Sequence, residues 1–226
     1  MAAGTFSDSL MMIQPAENTN IIPDRKVEGY MIIRVAKTED AGQIADIYRP
    51  YVEKTAVSFE YTAPGKDEMA GRIEETLKNY PYLAAEEDGE ILGYAYTGRY
   101  KERKAYDWAA EISIYIKEEY HGKGAGRALY TAIEKISAMQ NILNLYACIT
   151  IEDTDEEMAG SESAKFHEHM GYKLAGRFCY SGNKFGKWHS TVFMEKLIGE
   201  HPDSPPEIIP FPELDKEALM QAGVSQ

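Results

Sequence analysis

Cysteine is nearly absent from this chain of 226 residues, which contains only Cys148 and Cys179. Two isolated cysteines exclude a disulfide framework and a thiolate zinc site, and we expect both to be buried, reduced thiols. The sequence also has no apolar run near the roughly 20 residues of a membrane span and no signal peptide pattern at its N-terminus. These absences predict a cytoplasmic protein with no membrane partner.

Basic residues are scarce as well. The chain has 24 Lys and Arg against 37 Asp and Glu, which gives a net charge of -13. A surface of this sign repels phosphate backbones and therefore argues against nucleic acid as a partner. Because 44% of the residues are hydrophobic and 27% are charged, the composition is that of a folded globular protein.

The composition divides the chain into three parts. Residues 1–29 form an N-terminal arm without sustained periodicity, residues 30–198 form the folded domain, and residues 199–226 form a proline-rich C-terminal tail. We expect the tail to be a loosely docked or mobile extension, although some apolar side chains in it could dock on the core or on a second subunit. These side chains are Ile208, Ile209, Phe211 and Leu214.

Within the domain, the hydrophobic patterns predict a strand over residues 30–36, two amphipathic helices, and a strand over residues 83–86. The pair Asp88-Gly89 then predicts a hairpin turn into a further strand over residues 90–96. Residues 108–116 alternate in a period of two, so Ile112 and Ile114 face one side of a strand while Glu111 faces the other. A carboxylate is therefore expected in the middle of this strand, opposite its core face.

A glycine-rich loop follows this strand and leads into a strongly amphipathic helix. Its glycines, Gly122, Gly124 and Gly126, allow a ligand to approach the backbone, and the helix N-terminus favours an anion such as a pyrophosphate. The loop lacks the Gly-Lys-Ser/Thr ending of a P-loop and the later acidic residue of a Rossmann fingerprint. A purely structural turn remains the alternative.

The order of these elements and the loop His121-Gly-Lys-Gly-Ala-Gly126 resemble the GCN5-related N-acetyltransferases (GNAT family), although the loop begins with His where the family has Arg or Gln. Further segments narrow the resemblance to the phosphinothricin and L-amino acid N-acetyltransferase subfamily, and it covers about residues 31–197. These segments are Thr55-Ala-Val-Ser-Phe-Glu60, Tyr100-Lys-Glu-Arg-Lys-Ala-Tyr-Asp-Trp108, Phe166-His-Glu-His-Met-Gly-Tyr172 and Lys184-Phe-Gly-Lys-Trp-His189. An acidic insertion at 152–162 stands where the family has a short segment that contacts CoA.

The resemblance implies an α+β fold whose mixed, largely antiparallel sheet carries helices on both faces. It also implies that an acetyl group passes directly from acetyl-CoA to the α-amino group of a small amino acid or analogue, with phosphinothricin, methionine sulfoximine and methionine sulfone as examples. Glu111 is the expected general base, with an ion-pairing strand glutamate as the alternative. The expected acetyl-CoA contacts are Ile114, Tyr115, Ile116, His121, Gly122, Lys123, Gly124, Ala125, Gly126 and Arg127.

The resemblance places His167 where many relatives have a tyrosine that protonates the leaving thiolate, although a helix-packing histidine is the alternative. No metal is expected, because His167 and His169 are two residues apart on a helix and point in nearly opposite directions. The expected acceptor site consists of Phe59, Lys101, Arg103 and Tyr106. A homodimer is implied by the family, and the competing functions are protein or polyamine acetylation and a noncatalytic acyl-CoA-binding module.

Overall fold

The computed structural model describes residues 30–151 and 161–225, so the N-terminal arm and most of the acidic insertion lie outside the described residues. The described strands are β1 (Ile32–Val35), β2 (Tyr82–Glu87), β3 (Glu90–Arg99), β4 (Ala109–Ile116), β5 (Asn144–Ile151), β6 (Lys173–Lys184) and β7 (Lys187–Leu197). The described helices are α1 (Ala41–Glu53), α2 (Lys66–Leu77), α3 (Ala125–Met139), α4 (Glu162–His169) and α5 (Lys216–Gln221).

The strands form one sheet in the order β1-β2-β3-β4-β5-β7-β6. Neighbouring strands are antiparallel except for β4 and β5, which are parallel and are connected through α3. This mixed, largely antiparallel sheet confirms the predicted fold class.

The helices cover both faces of the sheet. α1 and α2 pack Ile44 and Ile73 against Tyr82 and Tyr94 on one face, and α3 packs Leu129 and its apolar neighbours against the other. Each fully buried aliphatic side chain of this kind contributes about 1.5–3 kcal/mol. The two faces account for the alternation of β4, whose isoleucines lie on the α3 side, so that its remaining side chains project towards α1 and α2.

The C-terminal tail docks on the chain's own core on the α3 side. Phe211 is buried in the same cluster as α3, and the Trp108 indole N–H donates to the Pro206 carbonyl oxygen at 2.7 Å. At the end of the tail, the Ser225 N–H donates to the Ile33 carbonyl oxygen at 2.7 Å, which adds a short parallel bridge to the edge of β1. Ile208, Phe211 and Leu214 of the tail therefore pack on the core of their own chain.

The expectation of two buried cysteines is wrong, because Cys148 and Cys179 are both exposed. In β5, Cys148 lies between Ala147 and Ile149, which are buried on the α3 side, so its thiol projects from the opposite face. Composition alone does not reveal which face of a strand is covered. No helix of the described ranges is both long enough and apolar enough to span a membrane.

Candidate active site

Glu111 lies in the middle of the sheet on the side of α1 and α2. It pairs with Gly98 of β3 on one side and with Tyr146 of β5 on the other. Its side chain is half-buried, and desolvation raises the pKa of this carboxyl group above 4.5, although the positive charge of Lys101 partly counteracts the effect. A carboxylate with a raised pKa is a stronger base than an ordinary surface glutamate, so this environment suits proton abstraction.

The sheet opens immediately beyond Glu111. Among the described residues, β4 and β5 pair only over 109–111 and 144–146, although β4 continues to Ile116 and β5 to Ile151. The edge of β4 that faces β5 therefore has backbone groups without a ladder partner over residues 114–116. An extended ligand could pair with this edge and bring its reactive end beside Glu111.

The loop after β4 turns sharply through two left-handed glycines. Gly122 has φ = +72° and Gly124 has φ = +96°, a conformation that glycine adopts at little cost. Gly124 is the N-cap of α3 and makes no side-chain capping bond, so the first N–H groups of the helix can bind an anion. A Cβ on either glycine would meet no described atom within 4 Å, so the space beside the loop is open. These features fit the pyrophosphate of acetyl-CoA.

The other predicted loop residues have distinct environments. Lys123 and Arg127 are exposed and add positive charge near the helix N-terminus, whereas the Ala125 side chain is buried in the core. Gly126 is needed for packing, because a Cβ there would lie 3.3 Å from the Phe166 ring. The anion cradle therefore consists of backbone from residues 122–125 with two flanking cations.

His121 fastens this loop to the rest of the domain. Its Nε2 lies 2.9 Å from the Tyr51 hydroxyl of α1 and 3.1 Å from the Ile116 carbonyl oxygen at the end of β4. The side chain thus joins the loop, the strand and the helix at one point. Through these contacts His121 can position the glycine loop, although the family has Arg or Gln at this place.

We expect Gly124→Ala to raise the KM for acetyl-CoA about tenfold and to leave the acceptor KM within about twofold. A left-handed conformation costs a residue with a Cβ about 1–2 kcal/mol, so the substituted loop would leave the conformation that binds the anion. Steady-state kinetics with each substrate varied in turn measures the effect. Gly89→Ala is the matched control, because Gly89 is also left-handed, at φ = +81°, and lies exposed in the turn between β2 and β3 with open space around it. An unchanged KM for acetyl-CoA would remove Gly124 from the anion cradle.

The structure argues against His167 as the acid that protonates the thiolate. His167 is 3% exposed, its Nδ1 lies 2.7 Å from the Ser163 carbonyl oxygen, and its Nε2 lies 2.7 Å from the Tyr130 hydroxyl. Because a carbonyl only accepts, Nδ1 carries the proton, and Nε2 accepts from Tyr130 in the neutral ring. Desolvation lowers the pKa of His167, which keeps the ring neutral at pH 7. The geometry fits the helix-packing alternative, and we do not retain His167 as a catalytic residue.

The residues predicted to bind the acceptor lie in two regions. The acceptor loop, defined here as residues 100–108, carries Lys101, Arg103 and Tyr106 from the end of β3 to the start of β4, and all three are exposed. Lys101 reaches the surroundings of Glu111, and its ammonium lies 4.9 Å from the centre of the Tyr100 ring. The Tyr106 ring packs edge-on against Tyr100, with centroids 5.9 Å apart. The loop thus places positive charge beside the expected base.

Phe59 lies apart from the acceptor loop. It belongs to the connection between α1 and α2, and its ring covers Gly182 of β6 so closely that a Cβ there would collide with it. Its ring centroid is 6.3 Å from that of His189 in β7. The connection therefore bridges from α1 to the β6–β7 hairpin across the face that carries Glu111.

Sequence reasoning missed the residue that holds this bridge. Lys184 is 1% exposed, and its ammonium donates to the carbonyl oxygens of Val52 and Ser58, each at 2.6 Å. Desolvation lowers the pKa of Lys184. Lys184 is the first residue of the segment Lys184-Phe-Gly-Lys-Trp-His189, which resembles the family, but the resemblance assigns it no role. The hydrophobic pattern does not indicate that a lysine is buried.

A second feature that the sequence did not reveal is a cavity of about 640 Å³ between α1, α2 and the sheet. Its lining includes the rings of Tyr48, Tyr82, Tyr94 and Tyr96, and the guanidinium of Arg72. Arg72 forms an ion pair with Glu60, which also accepts from the Tyr48 hydroxyl at 3.0 Å. The cavity is large enough for a small amino acid, and it lies on the same face of the sheet as Glu111.

Residues 30–151 and 161–225 contain no group of three or more His, Cys, Asp and Glu side chains that could hold a metal ion. The two histidines near the C-terminal end of α4 have separate partners, since the Nδ1 of His169 lies 2.6 Å from the Lys165 carbonyl oxygen.

Comparison with known proteins shows which family this chain belongs to. The family model for the acetyltransferase (GNAT) domain matches residues 33–193. The chain belongs to this family and is an acetyl-CoA-dependent N-acetyltransferase.

Individual relatives are similar over most of the chain. A phosphinothricin N-acetyltransferase from Alcaligenes faecalis is 33% identical over 77% of this chain and 86% of its own length. An L-methionine sulfoximine/L-methionine sulfone acetyltransferase from Salmonella typhimurium is 28% identical over 76% of this chain and 96% of its own. The crystal structure of a phosphinothricin acetyltransferase from Sinorhizobium meliloti in complex with acetyl-CoA has a TM-score of 0.71 and 32% identity, and covers 81% of this chain and 96% of its own.

Proposed function

We propose that this enzyme acetylates the α-amino group of a small anionic amino acid or analogue, of the phosphinothricin or methionine sulfone type. The observation that carries the proposal is the position of Glu111, half-buried beside Lys101 at the point where β4 and β5 part. A base and a cation side by side suit an acceptor that presents both an ammonium and a carboxylate.

The proposed roles follow from the chemistry. An α-amino group is mostly protonated at pH 7, so Glu111 takes its proton, directly or through a water. The freed amine attacks the carbonyl carbon of the thioester and a C–N bond forms. As the C–S bond breaks, the attacking nitrogen gives up a second proton and the leaving sulfur takes up one proton, so that the products are the N-acetyl amide and the free thiol of CoA. The edge of β4 at residues 114–116 and the backbone cradle at residues 122–125, flanked by Lys123 and Arg127, hold the cosubstrate, with the acetyl group beside Glu111.

Arg103 has a separate proposed role in binding the acceptor. It is exposed on the acceptor loop, where a guanidinium can bind a carboxylate or phosphinate in a bidentate manner. We expect Arg103→Ala to raise the acceptor KM roughly tenfold, as loss of a charged hydrogen bond implies, with little change in kcat. Steady-state kinetics with the acceptor varied checks this, and an unaffected KM would place the anion site elsewhere.

The test of the whole proposal is thiol release from acetyl-CoA with a panel of amines. The panel contains free amino acids, phosphinothricin, methionine sulfone, polyamines and a peptide with a free N-terminus. Turnover confined to one class of small anionic amino acids is expected. Turnover with only polyamines or the peptide would contradict the proposed acceptor, and acetyl-CoA binding without any turnover would favour the noncatalytic module.

We also propose a cytoplasmic homodimer. The hairpin of β6 and β7 exposes several large apolar side chains, among them Phe178 at 58% and Trp188 at 61%, and exposed apolar surface of this kind favours an interface. Two exposed, unpaired cysteines suit a reducing compartment. Sedimentation velocity at micromolar concentration is expected to give the mass of a dimer, and a monomer mass would contradict it.

A further inference from the structure

We infer that the C-terminal tail positions the acceptor loop through a chain of contacts that begins at His201. The inference rests on the proposed function, because it takes the acceptor loop to be the part that binds the amine. It assigns His201, Asn144 and Tyr146 to acceptor binding as positioning residues, although none of them belongs to the loop itself.

The first two links of this chain are hydrogen bonds between side chains. The His201 Nε2 lies 2.6 Å from the Asn144 Oδ1, and because the amide oxygen can only accept, the imidazole N–H donates. The Asn144 Nδ2 in turn donates to the Tyr146 hydroxyl at 3.2 Å. The tail is thereby bound to Asn144, the first residue of β5, where β5 pairs with β4.

The third link is aromatic. The ring of Tyr146 stacks on that of Tyr100, the first residue of the acceptor loop, with centroids 4.4 Å apart and planes 29° apart. Tyr100 also carries the Lys101 ammonium over its ring at 4.9 Å. Because Tyr146 pairs with Glu111 across the β4–β5 register, the chain of contacts ends directly beside the proposed base.

A cavity makes these contacts important for the loop. A space of about 420 Å³ lies between the acceptor loop, the starts of β4 and β5, and Pro202 and Pro205 of the tail. The inner side of the loop is therefore not held by close packing, and its position depends on contacts at the rim of the cavity. These contacts include the chain from His201 and the hydrogen bond from the Trp108 indole to Pro206, beside the Arg99–Asp107 ion pair and the backbone hydrogen bonds that the Trp108 carbonyl accepts.

Opening of the acceptor loop can be measured by proteolysis. Lys101, Arg103 and Lys104 are trypsin sites within it, and cleavage of a folded protein there follows the local opening of the loop. Limited trypsinolysis of the full-length protein, with the cleaved bonds identified by mass spectrometry, measures this opening without any substrate. Steady-state kinetics measures the KM for the acceptor and for acetyl-CoA separately.

The variants are His201→Ala, His201→Gln and Tyr146→Phe. His201→Ala removes the donor to Asn144, and we expect loop cleavage and the acceptor KM to rise about three- to tenfold, as loss of one hydrogen bond implies, with kcat and the KM for acetyl-CoA within about twofold. His201→Gln retains an N–H donor and is expected to restore most of both values. Tyr146→Phe is expected to resemble His201→Ala, and the double variant to be no worse than either single one. His169→Ala, an exposed histidine on α4, is the control.

Three outcomes would overturn the inference: loop cleavage in His201→Ala at the wild-type rate, an acceptor KM that does not change, or a parallel rise of both KM values with a lower melting temperature. Failure of the proposed function has a different signature. In that case the wild-type protein acetylates none of the small anionic amino acids, while the cleavage of the loop still reports whether His201 holds it.

Discussion

Glu111→Gln is expected to lower kcat by about 10²- to 10⁴-fold while leaving the affinity for acetyl-CoA unchanged. The amide keeps the size of the side chain but cannot accept the proton of the ammonium, and a positioned general base contributes an effect of this order. Stopped assays of thiol release give kcat, and equilibrium dialysis gives the affinity for acetyl-CoA. Glu74→Gln, on the exposed surface of α2, is the matched control.

The pH dependence sharpens this experiment. In the wild-type protein, kcat/KM should rise with pH through the pKa of Glu111, which desolvation places above 4.5, and the Gln variant should lack this limb. A carboxyl group whose pKa is raised by folding makes its full contribution to stability below the unfolded pKa, and this contribution is lost as the pH rises through the folded pKa. The stability of Glu111→Gln relative to wild type should therefore increase as the pH rises from the unfolded pKa of Glu111 through its raised folded pKa. A variant that keeps wild-type turnover would remove Glu111 as the base.

Lys184→Met is expected to lower the free energy of unfolding by about 3 kcal/mol, and the melting temperature by roughly 6–12 °C. The substitution leaves the carbonyl oxygens of Val52 and Ser58 without their charged donor in a buried place, and each such bond is worth about 1.5–3 kcal/mol. Thermal unfolding followed by circular dichroism measures the loss. The acceptor KM should rise as well, since the bridge that carries Phe59 is no longer fastened to β6.

The control is Lys187→Met, at the exposed position that pairs with Lys184 across the same hairpin. Surface substitutions of this kind usually change stability by less than about 0.5 kcal/mol. If both methionine variants unfold at the same temperature, Lys184 does not fasten the connection between α1 and α2.

The parts of the fold that follow from local patterns were predictable. The alternation of β4 placed Glu111 opposite the isoleucines, and the spacing of apolar residues located α3, because both depend on periods of two and 3.6 residues. The glycine loop was also predictable, because a conformation with positive φ favours glycine. Gly122 and Gly124 both adopt it, and α3 begins directly after them.

The remaining features depend on contacts between distant segments. His167 resembled a proton donor in its motif, but its state follows from Tyr130, 37 residues earlier in the chain. Lys184 binds carbonyl groups more than 120 residues away, and Cys148 is exposed because its side chain projects from the face of β5 opposite α3. Periodicity carries no information about such pairings.

The bridge between Ser225 and β1 has a consequence for self-association. Ala222 and Val224 are buried against the core, and Ser225 forms a parallel bridge with Arg34 on the outer edge of the sheet. An uncovered edge strand offers its unpaired N–H and C=O groups to a strand of another molecule. Because the tail occupies part of this edge, it shortens the stretch of β1 that could pair with a second copy of the chain.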